Sequence, residues 1–590
     1  MKTASKDYKL LSDLFFRILP FQILLLMANA ANGVVDSLFA SNFIGKTAMS
    51  AMGYYSPLNH FLFALSIILV SGSQILVGKA MGQNDSRSVQ TYFTTDLVVS
   101  VIISVLTSVL LDIGALSDVT SLFVADAIER DSLNKYILGQ SIGIPALVLG
   151  QQFFSFLSLE NQTRKTTIAS IACIIGNICM NTLFVVLLDW GPFGLGLGSS
   201  MGLWIFCLTM ASYYILGRSK LKFSARAFSS GGAAEIFRIG YPGALSRFLE
   251  MFRCIIVNYL IIKYVTSTGL SAFAAVNSAL ALVWPIPFGM AAALRIMEGI
   301  SIGEQDRKSV TDIMRVMLTK CFAIQCAISA CIIIFAEPLT RMFYRDMSDP
   351  VYNMTLMGFR ILPLCMPLSV ISLAYSGYAQ AMEIKKLAVL IPILDGAVNV
   401  VVLSFILIPL LQMTGLYSAN VINGVLIILL ILIYSIIVNK HLPKKLEDTL
   451  VFPEGFGAAG DSVFDIAVKD MQDVVTVSGQ AVEFCLSKGI DSRRANFAGL
   501  ALEEMAGNVV RHGLSADNKK HSIDLRLIAK DDDVILRIRD DCSEFDPVER
   551  AGILDNDDKV KNIGIRLING ISKDVSYQNL LGLNVLTIRV

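Results

Sequence analysis

Two stretches of this chain repeat one pattern about 221–222 residues apart. The first copy contains GKTAMSAMGYYSP (residues 45–57) and GKAMGQND (78–85). The second copy contains TGLSAFAAVNSAL (268–280) and MEGISIGEQD (297–306). A spacing this long predicts a duplicated structural unit.

Further matches keep the same spacing. The basic pair of TRKTTIAS, Arg164 and Lys165, aligns with that of MEIKKLAV, Lys385 and Lys386, and Asn177 aligns with Asn399. If both copies have the same orientation in a membrane, they form two parallel repeats. In transporters built this way the site is expected between the halves, near the middle of the membrane.

The composition indicates lipid exposure. Of the 590 residues, 54% are hydrophobic and 16% are charged, and the mean hydropathy is +0.62. A soluble protein carries about 25% charged residues. A span needs about 20 apolar residues, and twelve segments qualify. Their centres fall near residues 25, 62, 101, 146, 177, 206, 251, 285, 324, 370, 399 and 427.

The charges of the connecting loops test this count independently. The even-numbered connections carry Lys and Arg, for example Arg164 with Lys165 and Lys385 with Lys386, and the odd-numbered ones carry more Asp. Basic loops lie on the cytoplasmic side. We therefore expect a multi-pass protein of the inner (plasma) membrane with both termini in the cytoplasm.

Residues after about 440 differ in composition, with charged runs such as AKDDD (529–533). The predicted fold is an all-α polytopic membrane protein of twelve transmembrane helices in two six-helix repeats, followed by an α/β sandwich domain. The predicted units are an N-terminal lobe (1–220), a C-terminal lobe (233–440), a linker (441–460) and a cytoplasmic domain (461–590).

The membrane half resembles the multidrug and toxic compound extrusion (MATE) transporters. The resemblance covers about residues 10–440 and rests on the order and spacing of several segments. These are VVDSLFASNFIGKTAMSAMG, VGKAMGQND, GNICMNTLFV and FRIGYPGALSRFLEM. The resemblance implies a secondary antiporter that exports amphipathic or cationic organic compounds in exchange for protons or sodium ions.

Ionisable residues within the spans are candidates for ion coupling, because a charge at mid-membrane is costly. Asp36 lies late in the first helix, where the resemblance implies an acid that binds the coupling ion. The alternative is that Asp36 lies near the outer surface and is only solvated. The tenth helix contains no acid, which favours protons over sodium.

Glu250 in the seventh helix lies on one face with Arg247 and Arg253, at i, i+3 spacing. The resemblance implies cation coupling at a similar acid, but the arginines also allow a structural ion pair. They are candidate residues of the substrate cavity and could receive an anionic head group, which would suit a lipid flippase. Asp395 in the eleventh helix is the third candidate acid.

Other chemical classes are disfavoured. The net charge of +1 gives no indication of nucleic-acid binding. The ten cysteines form no CxxC pair, so we expect neither a metal site nor a disulfide framework. Residues 40–47 approximate a P-loop, but the first Gly is missing and no strand precedes the segment.

The soluble region alternates strands and helices. DSVFDIAV, HSIDLRLIA, DVILRIRD, VSYQN and LNVLTIRV are predicted strands. Helices are predicted in MQDVVTVSGQAVEFCLSKG, in RRANFAGLALEEMAGNVVRHG after Asp491, and in KNIGIRLINGI.

Three places in this region carry chemistry. Glu504 and Asn508, four residues apart, project from one helix face and could hold Mg²⁺ through an amide oxygen. Asp540 follows a strand and could accept a hydrogen bond from adenine. Gly564 starts a helix, where free N–H groups favour phosphate.

In this order the motifs resemble the anti-sigma-factor serine kinases, a branch of the histidine-kinase-type ATPases. The resemblance implies Glu504 as general base, Asn508 as Mg²⁺ ligand, Asp540 as adenine contact and Gly564 in the phosphate-facing turn. The family usually has Gly at the positions of Cys542 and Asn562. Kinase or ATPase activity therefore stays open, and an anti-anti-sigma-type protein is the implied partner. The alternatives to a regulated exporter are a membrane-anchored signalling kinase and a lipid flippase.

Overall fold

The computed structural model describes residues 4–590 with gaps. The residues outside the description are 118, 123, 125, 218, 220, 345, 454, 458–461, 514–520, 522, 531–532, 544–545 and 548–562.

The membrane half is helical. The first lobe comprises α1 (Ala4–Phe39), α2 (Lys46–Gly82), α3 (Ser86–Leu116), α4 (Ala127–Ser141), α5 (Ile144–Leu159), α6 (Thr163–Asn181) and α7 (Gly191–Ile215). The second comprises α8 (Ser230–Tyr264), α9 (Ser267–Leu280), α10 (Pro285–Gly303), α11 (Arg307–Val316), α12 (Phe322–Ile334), α13 (Ala336–Phe343), α14 (Pro350–Ile361), α15 (Cys365–Ala381), α16 (Lys385–Ile393) and α17 (Asn399–Asn439). The short α18 (Leu446–Leu450) follows.

Nine helical segments of the described chain are long and apolar enough to cross a membrane, or ten if the bent pair α4 and α5 forms one span. The twelve predicted segments differ from this count for two physical reasons. The first is α8, which carries six charged side chains along its 35 residues. The second is the run Lys385–Asn439, counted as one 55-residue segment although the backbone at Gln412 is not helical (φ 52°, ψ −133°).

The internal repeat is visible in the backbone. Positive φ angles recur at Gly45 and Thr266, at Asn84 and Gln305, at Asn161 and Glu383, and at Gly191 and Gln412. Each pair is separated by 221 or 222 residues. An L-residue rarely adopts this conformation, so four coincidences indicate two copies of one helical unit.

The C-terminal domain is an antiparallel five-stranded sheet covered on one face by helices. Its strands are β1 (Val463–Val468), β2 (Ile523–Lys530), β3 (Asp533–Asp540), β4 (Asp574–Leu580) and β5 (Leu583–Arg589), in the order β1-β2-β3-β5-β4. Its helices are α19 (Met471–Ser487), α20 (Ser492–Asn508) and α21 (Ile563–Ile571). These elements lie where the sequence pattern predicts them.

Alternation along the strands gives the sheet two different faces. In β3, Val534, Leu536 and Ile538 are buried against the helices. In β5, Leu586 and Ile588 also belong to this core, whereas Leu583 and Val585 join the core of the membrane half. The sheet is therefore packed between its own helices and the transporter.

The two lobes meet at the end nearest this domain, which we call the domain side. There α2 packs against α8 and α10 at backbone distance. A Cβ at Gly78 would lie 3.3 Å from the Gly299 carbonyl carbon, and one at Gly82 would overlap the Ile300 carbonyl oxygen. A Cβ at Gly240 would overlap the Ile68 carbonyl oxygen. These contacts close the domain side, and we call them the domain-side seal.

Replacing Gln412 with Gly should stabilise the protein. Its backbone conformation is one that only Gly adopts without strain, and the strain destabilises the folded protein by about 1–3 kcal/mol. Its counterpart in the first lobe is Gly191. We expect a higher midpoint of thermal unfolding in detergent. The neighbouring Thr414→Gly, at an exposed helical position, should lower the midpoint because Gly weakens helices. A lower midpoint for Gln412→Gly would contradict the proposed strain.

Candidate functional sites

Asp36 lies at the centre of a polar cradle in the first lobe. Its Oδ1 accepts hydrogen bonds from Asn177 Nδ2 at 3.0 Å and Asn181 Nδ2 at 2.8 Å, and its Oδ2 accepts one from Ser199 Oγ at 2.7 Å. Asn177 and Asn181 stand one turn apart on α6, and Ser199 stands on α7. Asp36 is 6% exposed, so the alternative of a surface-solvated carboxylate is wrong.

The cradle forms one wall of a cavity of ≈ 250 Å³. Tyr55 of α2 and Tyr136 of α4, whose rings meet edge to face at 5.3 Å, form part of the opposite wall. Asn181 Oδ1 is buried and has no partner within the described structure. A carboxylate with an unused amide oxygen beside it offers oxygen ligands to a small cation.

Glu250 lies between two arginines in the second lobe. Arg247 Nη1 is 3.1 Å from Glu250 Oε2, and Arg253 Nη2 is 3.3 Å from Glu250 Oε1. The guanidinium of Arg247 also lies over the Phe288 ring, 4.3 Å from its centroid. The predicted shared face of α8 is confirmed by these contacts.

Asp395 lies in the same cavity, in the helical turn Leu394–Val398 that follows α16. Its Oδ2 accepts a hydrogen bond from Ser372 Oγ at 2.6 Å, and its Oδ1 accepts one from Asn423 Nδ2 at 2.7 Å. This carboxylate is thus held by neutral donors from α15 and α17, as Asp36 is held by neutral donors from α6 and α7.

Each of the two cavities lies within one lobe, and the site expected between the halves stays a prediction. The cavity at Asp36 is lined by residues of the first lobe, and the cavity at Glu250, of ≈ 260 Å³, by residues of the second. Along α10, Phe288 lines the second cavity and Gly303 lies in the domain-side seal, about 22 Å further along the helix. The seal therefore separates the cavities from the domain side.

In the C-terminal domain, Glu504 and Gly564 are brought together. A Cβ at Gly564 would lie 2.9 Å from the Glu504 carboxylate carbon, so a side chain at the start of α21 would displace this carboxylate. Glu503 points elsewhere, since its Oε2 accepts a hydrogen bond from Ser478 Oγ of α19 at 3.3 Å. Of these two neighbouring acids, Glu504 is therefore the one that lies beside Gly564. Asn508 is one turn further along α20.

Asp540 ends β3 as a buried carboxylate, 4% exposed. Burial raises its pKa, although Asn584 Nδ2 and the Cys542 backbone N–H donate to Oδ1 at 2.8 Å and 3.0 Å. Asn584 also donates to the carbonyl oxygen of Cys542 at 3.2 Å. Sequence patterns did not identify Asn584 as a partner of Asp540, because Asn584 lies on β5, 44 residues further along the chain.

The two departures from the family pattern have different outcomes. Cys542 packs against Gly513, where an added Cβ would lie 2.9 Å from its Sγ. Cys542 Sγ, His521 Nδ1 and Asp541 Oδ1 lie close enough together that they could bind one metal ion. The His521 and Asp541 atoms are 3.2 Å apart. Asn562 lies outside the described residues, as does the chain from 548 to 561 that leads to it.

The sheet face opposite the helices docks on the transporter through buried ion pairs. Arg539 Nη2 lies 2.7 Å from Glu304 Oε2, and Arg537 Nη1 lies 3.4 Å from the same oxygen. Arg526 pairs with Asp306 and with Asp465, whose other oxygen is 3.0 Å from Lys308 Nζ. The two acids on the transporter side, Asp306 and Glu304, have side chains that are 1% and 3% exposed.

This junction touches both lobes. The β4–β5 hairpin places Leu581 and Leu583 against Leu11 and Leu14 of α1, and Gln578 donates to Asn84 at the start of α3. The ion pairs lie on the second lobe, at the turn between α10 and α11. The domain therefore bridges the lobes across the domain-side seal.

The turn at Asp306 repeats the turn at Asp85 with one difference. Each aspartate caps a helix and accepts a hydrogen bond from a serine hydroxyl at 2.6 Å, Ser309 and Ser88 respectively. Asp85 is exposed, whereas Asp306 is buried beneath the domain. Burial opposes ionisation of Asp306, but the charges of Arg526 and Arg539 outweigh it and hold its pKa well below the ordinary value.

Two repeated helical lobes, each with a charged cavity, define a multi-pass membrane transporter with a soluble domain attached. The MatE family model matches residues 23–183 and 242–406, more than half of the chain. This chain therefore belongs to the MATE family. A second model, the histidine kinase-like ATPase domain, matches residues 468–590.

Curated relatives agree with the family. The probable multidrug resistance protein NorM of Photorhabdus laumondii is 23% identical over 356 residues, which cover 58% of this chain and 75% of the relative. The multidrug resistance protein NorM of Vibrio cholerae is 24% identical over 241 residues, 39% of this chain and 52% of the relative.

Solved structures share the fold. A MATE crystal structure in complex with MaL6 has a TM-score of 0.66 at 18% identity and covers 72% of this chain and 97% of its own. An outward-facing multidrug resistance MATE transporter of the MOP superfamily has a TM-score of 0.66 at 19% identity, covering 73% and 97%.

Asp306→Asn should release the C-terminal domain from the transporter, because breaking one partner of a buried ion pair costs about 3–5 kcal/mol. Faster proteolytic removal of the domain from the full chain is the expected readout. Asp85→Asn is the matched control, since it changes the same helix cap without the arginines. Equal cleavage of the two variants would show that the ion pair does not hold the domain.

The pH dependence follows from the lowered pKa of Asp306. Its contribution to docking is fully present above the ordinary carboxyl pKa of about 4 and is lost as the pH falls below that value. Docking should thus be constant between pH 6 and pH 8 by the same cleavage assay.

Proposed function

We propose that this protein exports amphipathic or cationic organic compounds across the plasma membrane in exchange for protons or sodium ions. The cradle around Asp36 carries the proposal. A buried carboxylate held by three neutral donors, with no cationic side chain among its hydrogen-bond partners, is suited to exchange one cation for another. The names of the curated relatives support efflux of drugs as the activity.

Coupling would use the same carboxylate at two stages. When Asp36 holds a proton or sodium ion, its charge is neutralised and a cationic cargo loses its counter-charge in the cavity. Departure of the ion restores the negative charge and the attraction for the next cargo. Asn181 Oδ1, unpartnered and adjacent, would accept the hydrogen bond of a protonated Asp36 or serve as a further oxygen ligand to sodium.

Asp36→Asn should abolish gradient-driven efflux from proteoliposomes, because an amide takes up no proton at neutral pH and lacks the negative charge with which a carboxylate attracts a sodium ion. Asp131→Asn is the control, since that acid is exposed in the same lobe and pairs with Lys135. Imposing a proton gradient or a sodium gradient separately identifies the coupling ion. Undiminished efflux by Asp36→Asn would refute this assignment.

We further propose that the C-terminal domain regulates transport, with its sheet on the cytoplasmic side of the seal. The bridge between α1 and the turn at Glu304 supports this role. Alternating access requires the lobes to separate at the seal, and a domain fixed to both lobes resists that separation. Docking therefore favours the conformation that is closed on the domain side.

Nucleotide binding would act on this bridge. Glu504, Asn508 and Gly564 would hold Mg-ATP through the phosphates and the metal, and Asp540 would accept from adenine. These residues are suited to bind Mg-ATP for two reasons. Gly564 places no side chain over the Glu504 carboxylate, and a hydrogen bond from Asn584 already orients the Asp540 carboxylate. Asp540 directly follows Arg539, whose guanidinium binds Glu304 of the transporter, so the adenine contact and the docking contact share one strand.

Asn508→Ala should abolish Mg-ATP binding by the full chain and remove any effect of ATP on efflux. Asn496→Ala is the matched control on α20, because the exposed Asn496 side chain donates a hydrogen bond to the Ser492 carbonyl oxygen of its own helix. Calorimetry and an efflux assay with ATP in the domain-side compartment give the two readouts. ATP binding without any change in efflux would refute regulation and favour a kinase that acts on a separate protein.

A further inference from the structure

In the second cavity, Glu250 forms ion pairs with two arginines. Arg247, Glu250 and Arg253 have side-chain exposures of 32%, 45% and 25%, so all three reach the cavity. The carboxylate uses one oxygen for each guanidinium. Each arginine still has further N–H donors, since a guanidinium has five.

The remaining groups make the cavity electrically balanced. Asp395 is satisfied by Ser372 and Asn423, and His60 of α2 is the further titratable group that acts on Glu250. Two arginines therefore face two acids, of which only Glu250 pairs with them in the described structure. Removing the negative charge of Glu250 would leave the cavity cationic.

The rest of the wall suits a molecule with an apolar body. Trp284 and Phe288 line one side, and Leu373 and Cys365 lie nearby. Phe288 fixes the Arg247 guanidinium by stacking at 4.3 Å. A fixed guanidinium loses little entropy when it binds a phosphate or carboxylate with two hydrogen bonds.

We propose that the second cavity binds anionic amphiphiles through Arg247 and Arg253, and that Glu250 is an internal competitor which occupies the arginines when the cavity is empty of cargo. The headgroup is a phosphate monoester, and the apolar body lies against Trp284 and Phe288. This inference rests on the proposed transport function and extends its cargo to molecules of opposite charge to those attracted by Asp36.

Glu250→Gln gives the decisive test, because a competitor that is removed must strengthen binding. Octyl phosphate binding to the purified full chain in a non-ionic detergent can be followed by the fluorescence of Trp284. We expect roughly tenfold tighter binding by Glu250→Gln and at least tenfold weaker binding by Arg253→Gln. Glu337→Gln is the control, since it removes the carboxylate of an exposed Glu–Arg pair in the same lobe.

The ligand arms decide the class of cargo. Octyltrimethylammonium should not compete, and inorganic phosphate should bind far more weakly than octyl phosphate. Nanodiscs containing phosphatidic acid, a lipid whose headgroup is a phosphate monoester, would identify a membrane lipid as the occupant if they weaken octyl phosphate binding compared with phosphatidylcholine nanodiscs. Unchanged binding there would identify a soluble amphiphile.

Unchanged or weaker binding by Glu250→Gln would overturn the proposal, and so would equal binding of inorganic phosphate. A gain in affinity cannot arise from misfolding, which keeps the test informative if the arginine variants are unstable. Octyl phosphate binding should persist in Asp36→Asn. Failure of ion-driven efflux and failure of anion binding are therefore separate results.

Discussion

The close approach of α2 to α8 and α10 at the domain-side seal is the constraint on which the rest of this structure depends. Backbone contact at Gly82 and Gly303 leaves no room for a side chain, because a Cβ at either position would overlap a carbonyl oxygen of the facing helix. The seal closes one end of the molecule and separates the two cavities from that end. It also fixes the spacing between α1 and the turn at Glu304, which is the surface on which the C-terminal domain sits.

The two lobes share one pattern of backbone turns but differ in the side chains at matching positions. Both lobes keep the same positive-φ turns at the same spacing, so the helices and their ends are shared. The side chains at matching positions differ. Gln83 corresponds to Glu304 and Cys173 corresponds to Asp395 at the repeat spacing. The second lobe therefore has a docking turn and a second cavity acid, while its positive-φ turns match those of the first lobe.

Local patterns in the sequence predicted what depends on neighbours along the chain. Apolar runs gave the helices, alternation gave the five strands, and the spacing of matching segments gave the two lobes. The partners of the site residues could not be found this way. Asn181 and Ser199 reach Asp36 from 145 and 163 residues away, and the partner of an asparagine in an apolar helix cannot be predicted from the residues around it.

The site expected between the halves stays a prediction for the same reason. Its position depends on how the lobes pack, which is set by glycine contacts that no charge pattern reveals. The pairing of Glu250 was predictable because Arg247 and Arg253 are its neighbours on one helix face. The docking arginines Arg526, Arg537 and Arg539 looked like ordinary polar positions of alternating strands until the acids opposite them were placed.

The chemistry of the docked surface argues for a contact that can be released. Apolar contacts between Leu583 and α1 supply attraction at any orientation, whereas buried ion pairs cost desolvation energy and repay it only in one geometry. Arg539 and Arg526 therefore specify how the sheet sits rather than how tightly it binds. A joint of this kind is sensitive to small displacements of the strand that carries it, because a shift of about 1 Å leaves charges buried and unpaired. In the proposed regulation, a nucleotide at Asp540 would act on this joint through β3, because Arg539 is the neighbouring residue of the same strand.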